Sequence, residues 1–162
     1  NGLDLLHYAD MPGLAQHLRS LGYCRVYYSE LLTANSLVEE IQQVARQDSQ
    51  ARFVLIGYSF GANWARNIAH TLADQGIAID LLVYLNANTL RNTPYDRPEN
   101  AQRVINILAW GVLLDGDHLD NAENIEITDA WHFNTPMHPH TLRILEQELA
   151  RLHDPRPITT PK

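Results

Sequence analysis

A serine between two glycines is the residue of this chain whose setting points most clearly to chemistry. The run Gly57-Tyr58-Ser59-Phe60-Gly61 follows a short apolar stretch, Phe53 to Ile56, and comes directly before a segment with helical periodicity. Glycines flank such a serine because side chains at their positions would collide with neighbouring backbone in a turn this tight. The strained turn directs the hydroxyl outward. The pattern therefore predicts a nucleophilic serine at Ser59.

The segment after this serine predicts a helix whose first turn can stabilise negative charge. Phe60, Trp64, Ile68 and Leu72 recur every four residues, which is the spacing of one apolar helix face. The N–H groups of a first helical turn have no intrahelical partner and lie at the positive end of the helix dipole. We therefore expect the backbone N–H of Phe60 to stabilise an oxyanion formed beside Ser59.

Short apolar runs alternate with amphipathic helices along the rest of the chain. Strands are predicted at Cys24 to Tyr28, Phe53 to Ile56, Leu81 to Leu85, Val104 to Leu108 and Ile125 to Ile127. This alternation predicts an α/β fold, a three-layer α/β/α sandwich with a mainly parallel sheet covered on both faces. Residues 1–153 are expected to form a single domain, followed by a frayed tail with three prolines at 154–162.

Four helices are predicted from their start and stop signals. The first begins at Asp10 and Pro12 and ends at Gly22, and the second follows a capping box formed by Ser36 and Glu39. The third follows Ser59 and ends near Gly76, and the last opens at Pro139 with leucines on one face.

Composition excludes several classes of partner and site. A net charge of −7 opposes the binding of nucleic acid. The single cysteine, Cys24, cannot form an internal disulfide and is expected to be a buried, inert thiol, which is compatible with a cytoplasmic protein. His138 and His140 have no carboxylate or cysteine at ligand spacing, so no metal site is predicted. No apolar run reaches the length of a membrane span.

The run Val54-Leu55-Ile56-Gly57-Tyr58-Ser59-Phe60-Gly61-Ala62 resembles the nucleophile elbow of α/β-hydrolases, a superfamily of esterases, lipases, thioesterases and peptidases. The resemblance implies cleavage of an ester or thioester in a small-molecule acyl substrate. The reaction would use a Ser-His-Asp triad and an acyl-enzyme intermediate, without a cofactor. The alternative is a catalytically inactive protein that uses the same fold for binding.

The same resemblance implies a histidine base after the last strand. His132, in Asp129-Ala130-Trp131-His132-Phe133, follows the Ile125–Ile127 strand and stands several residues before the final helix. His138 is the alternative, although its place beside Pro139 favours a role at the start of that helix.

The triad acid is expected in the loop after the Val104–Leu108 strand. Asp115 stands at about the usual distance beyond that strand, and Asp117 is the alternative. The family's other acid position, one strand earlier, holds Asn86. An amide can orient a histidine but cannot neutralise its charge.

The second oxyanion donor is expected in the opening residues, where Asn1-Gly2-Leu3-Asp4 is similar to a loop of the family that supplies it. The donor would be the N–H of Gly2 or Leu3. In these enzymes a strand precedes that loop and lies between the strands predicted at Cys24–Tyr28 and Phe53–Ile56. We therefore expect residues 1–162 to be a fragment, or the ordered part, of a longer chain.

Overall fold

The structure is a computed structural model and describes residues 9–29, 34–87, 94–110 and 116–153. They contain four helices and four strands. In chain order they are α1 (Met11–Ser20), α2 (Ala34–Gln47), β1 (Val54–Tyr58), α3 (Gly61–Ala73), β2 (Ile79–Leu85), β3 (Ala101–Ala109), β4 (Glu123–Ile127) and α4 (Pro139–His153), with one 3-10 turn (Thr135–Met137) before α4.

The four strands form one parallel sheet in the order β1-β2-β3-β4. Tyr58 on β1 pairs with Leu85 on β2, and Leu85 pairs with Ile107 on β3. Because the strands are parallel, their carboxyl ends meet at one edge of the sheet. The loops that carry Ser59 and the candidate acids all leave from that edge.

Successive residues of β2 bury their side chains on opposite faces of the sheet. Leu81, Val83 and Leu85 pack with the core that includes residues of α1 and α4. Leu82 and Tyr84 pack with the core that includes α3, against which the apolar face of α2 also lies. The predicted three-layer α/β/α sandwich with a parallel sheet is therefore confirmed.

The helix starts follow the sequence signals in two cases and depart from them in one. The Asp10 carboxylate accepts from the Gly13 N–H at 2.9 Å and caps α1, and α4 opens at Pro139, as predicted. The capping box at Ser36 is wrong, because α2 already begins at Ala34 and Ser36 lies within its first turn rather than before it.

The strand predicted at Cys24–Tyr28 is also wrong. Residues 23–29 form neither helix nor strand, and Cys24 is exposed rather than buried. A strand needs a neighbour to pair its main-chain groups. Here an apolar cavity of about 810 Å³ is lined by Val26 and Tyr28 of this segment and by Ile56 of β1.

The sheet consequently ends at β1, which pairs only with β2 among the described strands. The resemblance to α/β-hydrolases implied a further strand between segment 23–29 and β1, and the cavity is lined by residues of both. That residues 1–162 belong to a longer chain stays a prediction.

Candidate active site

Ser59 occupies a strained turn between β1 and α3. Its φ is 51°, in the left-handed region that residues with a side chain seldom adopt. The turn is fixed on both sides, because the Ser59 N–H donates to the Leu85 carbonyl at 2.8 Å and the Ser59 carbonyl accepts from the Ala62 N–H at 3.0 Å. Strain of this kind persists only where the surroundings enforce it, and it concentrates at functional sites.

Gly57 is required for this turn because the start of α3 lies directly against it. A Cβ at position 57 would stand 2.6 Å from the Ala62 Cα and 2.6 Å from the Gly61 carbonyl oxygen. Both are backbone atoms, which cannot rotate away as a side chain can. The glycine therefore allows the first turn of α3 to close on the end of β1.

Phe60, the predicted oxyanion donor, lies between Ser59 and the first residue of α3. Its backbone is already helical, with φ −58° and ψ −27°, so its N–H is one of the donors at the helix start that have no intrahelical partner. Its ring is exposed. The turn thus presents a serine and a helix N-terminus at the carboxyl edge of the sheet.

His132 lies in the turn between β4 and α4 and is buried, with 7% of its surface exposed. Its ring centroid lies 5.1 Å from that of Tyr58, the residue before Ser59, and 5.1 Å from that of Phe133, which it meets edge-on at 86°. The structure therefore brings the turn of His132 to the end of β1, where Ser59 follows.

The backbone carbonyl of His132 accepts two buried hydrogen bonds. The Tyr58 hydroxyl donates to it at 3.2 Å, and the Asn86 side-chain amide donates to it at 3.1 Å. Sequence reasoning missed both contacts: Tyr58 was only a flanking residue of the serine turn, and Asn86 was considered as a replacement for the acid. Asn86 instead contacts the main chain of the histidine.

His138, the alternative base, stands immediately before α4 and takes part in its start. One ring nitrogen accepts from the His140 N–H at 3.2 Å, and the other lies 3.5 Å from the Asp129 carboxylate. These contacts agree with the predicted role of His138 at the beginning of the helix.

Three of the predicted site residues, Gly2, Leu3 and Asp115, lie outside the described residues. The alternative acid, Asp117, is described. Its carboxylate accepts from the Tyr95 hydroxyl at 3.4 Å, and its backbone carbonyl accepts from the Asn106 side chain at 2.8 Å.

Two other features are absent from the described ranges. No group of three histidine, cysteine, aspartate or glutamate side chains with the arrangement of a metal site occurs in them. No helix in the same ranges has the length and apolar character needed to cross a membrane.

Comparison with known proteins supports the fold. No protein-family model and no curated protein sequence matches the chain. Among solved structures, the chain is similar to an alpha-beta serine hydrolase homologue from Coxiella burnetii, with a TM-score of 0.55 and 19% sequence identity. The likeness covers 89% of this chain and 76% of the other. At this identity the comparison establishes the α/β fold, and the chemistry has to be argued from the site.

Proposed function

We propose that this protein is a serine hydrolase that cleaves an ester or thioester, with Ser59 as nucleophile and His132 as general base. The observation that carries the proposal is the left-handed backbone of Ser59, at φ 51°, between a parallel strand and a helix N-terminus. This geometry holds a hydroxyl clear of the sheet and next to helix N–H groups.

In the first half of the reaction, the Ser59 Oγ attacks the acyl carbonyl carbon while His132 takes the hydroxyl proton. The carbonyl oxygen gains the negative charge of the tetrahedral intermediate, and the Phe60 N–H stabilises it. The bond to the leaving alcohol or thiol then breaks. His132 returns the proton to that group, and the acyl group remains on Ser59.

In the second half, His132 removes a proton from water, and the resulting hydroxide attacks the acyl carbonyl. The same N–H stabilises the second tetrahedral intermediate. Its collapse releases the carboxylic acid and returns the proton to Ser59 Oγ. The protein groups suffice for this cycle, which requires no metal or organic cofactor.

Two further roles complete the proposal. Asp115 is the acid that orients His132 and stabilises its charged form, with Asp117 as the alternative. The N–H of Gly2 or Leu3 is the second oxyanion donor. Both roles follow from the resemblance of the sequence to α/β-hydrolases.

A fluorophosphonate probe tests the proposal, because it forms a covalent bond only with an activated serine. We expect the wild type to be labelled, and labelling to be lost in Ser59→Ala and in His132→Ala. Ser20→Ala is the matched control for the nucleophile, since the Ser20 hydroxyl is exposed and donates to the His17 carbonyl within α1. His138→Ala is the control for the base.

The outcomes separate the assignments. If His138→Ala abolished labelling and His132→Ala did not, His138 would replace His132 as the base. If the folded wild type were not labelled, the enzymatic proposal would be wrong, and a binding function of the same fold would take its place. Circular dichroism of every variant establishes that it is folded.

A further inference from the structure

Asn86 is fully buried and has an unusual backbone. It follows the last residue of β2, has a φ of 51°, and none of its surface is exposed. Asparagine tolerates this region better than most residues with a side chain. A buried, strained polar residue needs compensating contacts, and its hydrogen bonds show which parts of the fold provide them.

Each polar atom of the Asn86 side chain is hydrogen-bonded. Its Oδ1 accepts from the Ala109 N–H at 2.7 Å, at the end of β3. Its Nδ2 donates to the His132 carbonyl at 3.1 Å and to the Thr135 hydroxyl oxygen at 2.9 Å. The one side chain therefore joins the ends of β2 and β3 to the turn that carries the candidate base.

The turn is also closed internally. The Thr135 hydroxyl donates to the Trp131 carbonyl at 2.8 Å, and the Thr135 N–H donates to the same carbonyl at 3.2 Å. The Tyr58 hydroxyl adds a second donor to the His132 carbonyl from the end of β1. Groups at the ends of β1 and β2 thus fix the backbone of one turn, and the end of β3 in turn holds Asn86.

We propose that Asn86 is a positioning residue that holds His132 beside Ser59 by hydrogen-bonding its backbone carbonyl, with Tyr58 as the second donor. The inference rests on the proposed function of His132 as base. Because the hydrogen bonds hold the backbone, they require neither imidazole nitrogen. The amide therefore acts on the position of the turn and not on the imidazole itself.

The inference accounts for an amide at this position. The His132 carbonyl needs a donor and the Ala109 N–H needs an acceptor, and only an amide side chain of this length supplies both. An aspartate would place a carboxylate oxygen against the His132 carbonyl. It would thereby bury a charge and set two acceptor oxygens against each other.

Asn86→Gly removes the amide and keeps the left-handed backbone accessible, since glycine adopts positive φ without strain. Tyr58→Phe removes the second donor and keeps the ring that packs on His132. Asn100→Gly is the matched control. The Asn100 side-chain amide also donates to two backbone carbonyls, those of Ala69 and Ile77 at 2.9 and 2.7 Å, but at the amino end of β3.

Two readouts are needed. Hydrogen exchange of the Asn134 and Thr135 amides, which both donate to the Trp131 carbonyl, reports whether the turn is held. We expect it to accelerate about 5- to 100-fold in Asn86→Gly, as for the loss of its two hydrogen bonds to the turn, and to stay at the wild-type value in Asn100→Gly. The rate of fluorophosphonate labelling per folded molecule reports positioning. We expect it to fall about 10- to 100-fold in Asn86→Gly, less in Tyr58→Phe, and not in Asn100→Gly.

The outcomes test the positioning role of Asn86 separately from the hydrolase function. Faster exchange together with slower labelling supports the role of Asn86. Unchanged exchange in Asn86→Gly overturns it whatever the labelling shows, because the turn is then held without the amide. Faster exchange with unchanged labelling overturns it too, since the turn would be loosened without consequence for Ser59. If exchange is faster in Asn86→Gly but the folded wild type is never labelled, the hydrolase proposal is wrong. A positioning role of Asn86 in catalysis is then wrong as well.

Discussion

Ser59 and Asn86 occupy equivalent positions on neighbouring strands, and both have a φ of 51°. Each follows the last residue of its strand, and those two residues, Tyr58 and Leu85, are paired in the sheet. The Ser59 N–H donates to the Leu85 carbonyl, directly before Asn86. Both strands are therefore followed by a residue with a left-handed φ at one edge of the sheet.

The two side chains serve different purposes at that edge. Both polar atoms of the Asn86 side chain are hydrogen-bonded, to Ala109, His132 and Thr135. The Ser59 backbone is fixed, and its hydroxyl stands at the start of α3. The shared conformation thus holds the candidate base through one residue and presents the candidate nucleophile through the other.

Gly57→Ala is expected to destabilise the protein by about 1–3 kcal/mol and to abolish labelling of Ser59. The added Cβ would lie 2.6 Å from backbone atoms of Gly61 and Ala62, so β1 and α3 have to move apart. Urea unfolding and probe labelling check both effects.

Gly76→Ala is the matched control for this substitution. Gly76 has a φ of 70° with no atom within 4 Å of an added Cβ, so alanine there costs about 1–2 kcal/mol of backbone strain at a place far from Ser59 in the chain. We expect Gly76→Ala to keep the wild-type labelling rate. Equal labelling of the two variants would contradict the role given to Gly57.

The two candidate acids can be distinguished by substitution. Asp115→Asn is expected to slow labelling by up to about 10⁴-fold, because an amide in place of the acid leaves the imidazolium without its counter-charge and can favour the wrong tautomer. Asp117→Asn is expected to leave the rate nearly unchanged, since the Asp117 carboxylate accepts from the Tyr95 hydroxyl. Labelling rates of the two variants, measured on folded protein, decide the assignment. The reverse order of the two effects would make Asp117 the acid.

The sequence predicts the parts of this fold that depend on neighbouring residues. The serine turn is encoded by five consecutive residues, and the left-handed backbone of Ser59 agrees with it. The alternation of apolar runs and amphipathic helices is likewise local, and the sheet and both covering layers follow from it.

Features that depend on distant partners were not predicted. The Cys24–Tyr28 run has the composition of a strand, but strand formation requires a neighbour, and the apolar cavity lies where one would pair. The hydrogen bond from Asn86 to His132 joins residues 46 positions apart, both in irregular segments without periodicity. A contact between two loop residues leaves no pattern in the sequence.

The open edge of β1 predicts a difference between alternating backbone amides. Leu55 and Gly57 direct their N–H groups toward β2, as the Ser59 N–H does toward Leu85, so Val54 and Ile56 direct theirs away from the sheet. We expect the Val54 and Ile56 amides to exchange hydrogen faster than those of Leu55 and Gly57. Site-resolved exchange by NMR measures this. Equal protection of all four amides would mean that the outer edge is paired in solution.

Tyr84→Phe is expected to stabilise the protein by about 1 kcal/mol at neutral pH. The Tyr84 hydroxyl is buried on β2 and has no hydrogen-bond partner within the described part of the chain. Removing an unsatisfied buried hydroxyl removes its desolvation cost. Urea unfolding at pH 7 measures the change, and a loss of stability in Tyr84→Phe would show that the hydroxyl has a partner after all.

The same substitution has a pH dependence of defined sign. Burial raises the pKa of Tyr84 above its ordinary value, and the nearby charge of Arg66 opposes this only in part. Because the pKa of Tyr84 is higher in the folded than in the unfolded protein, the wild type keeps its full stability below the unfolded pKa of about 10. It loses stability as the pH rises from there toward the folded pKa. The advantage of Tyr84→Phe over the wild type should therefore grow above about pH 10. Tyr95→Phe is the control, because Tyr95 is exposed. The free energy of unfolding of this variant should follow that of the wild type over the whole pH range.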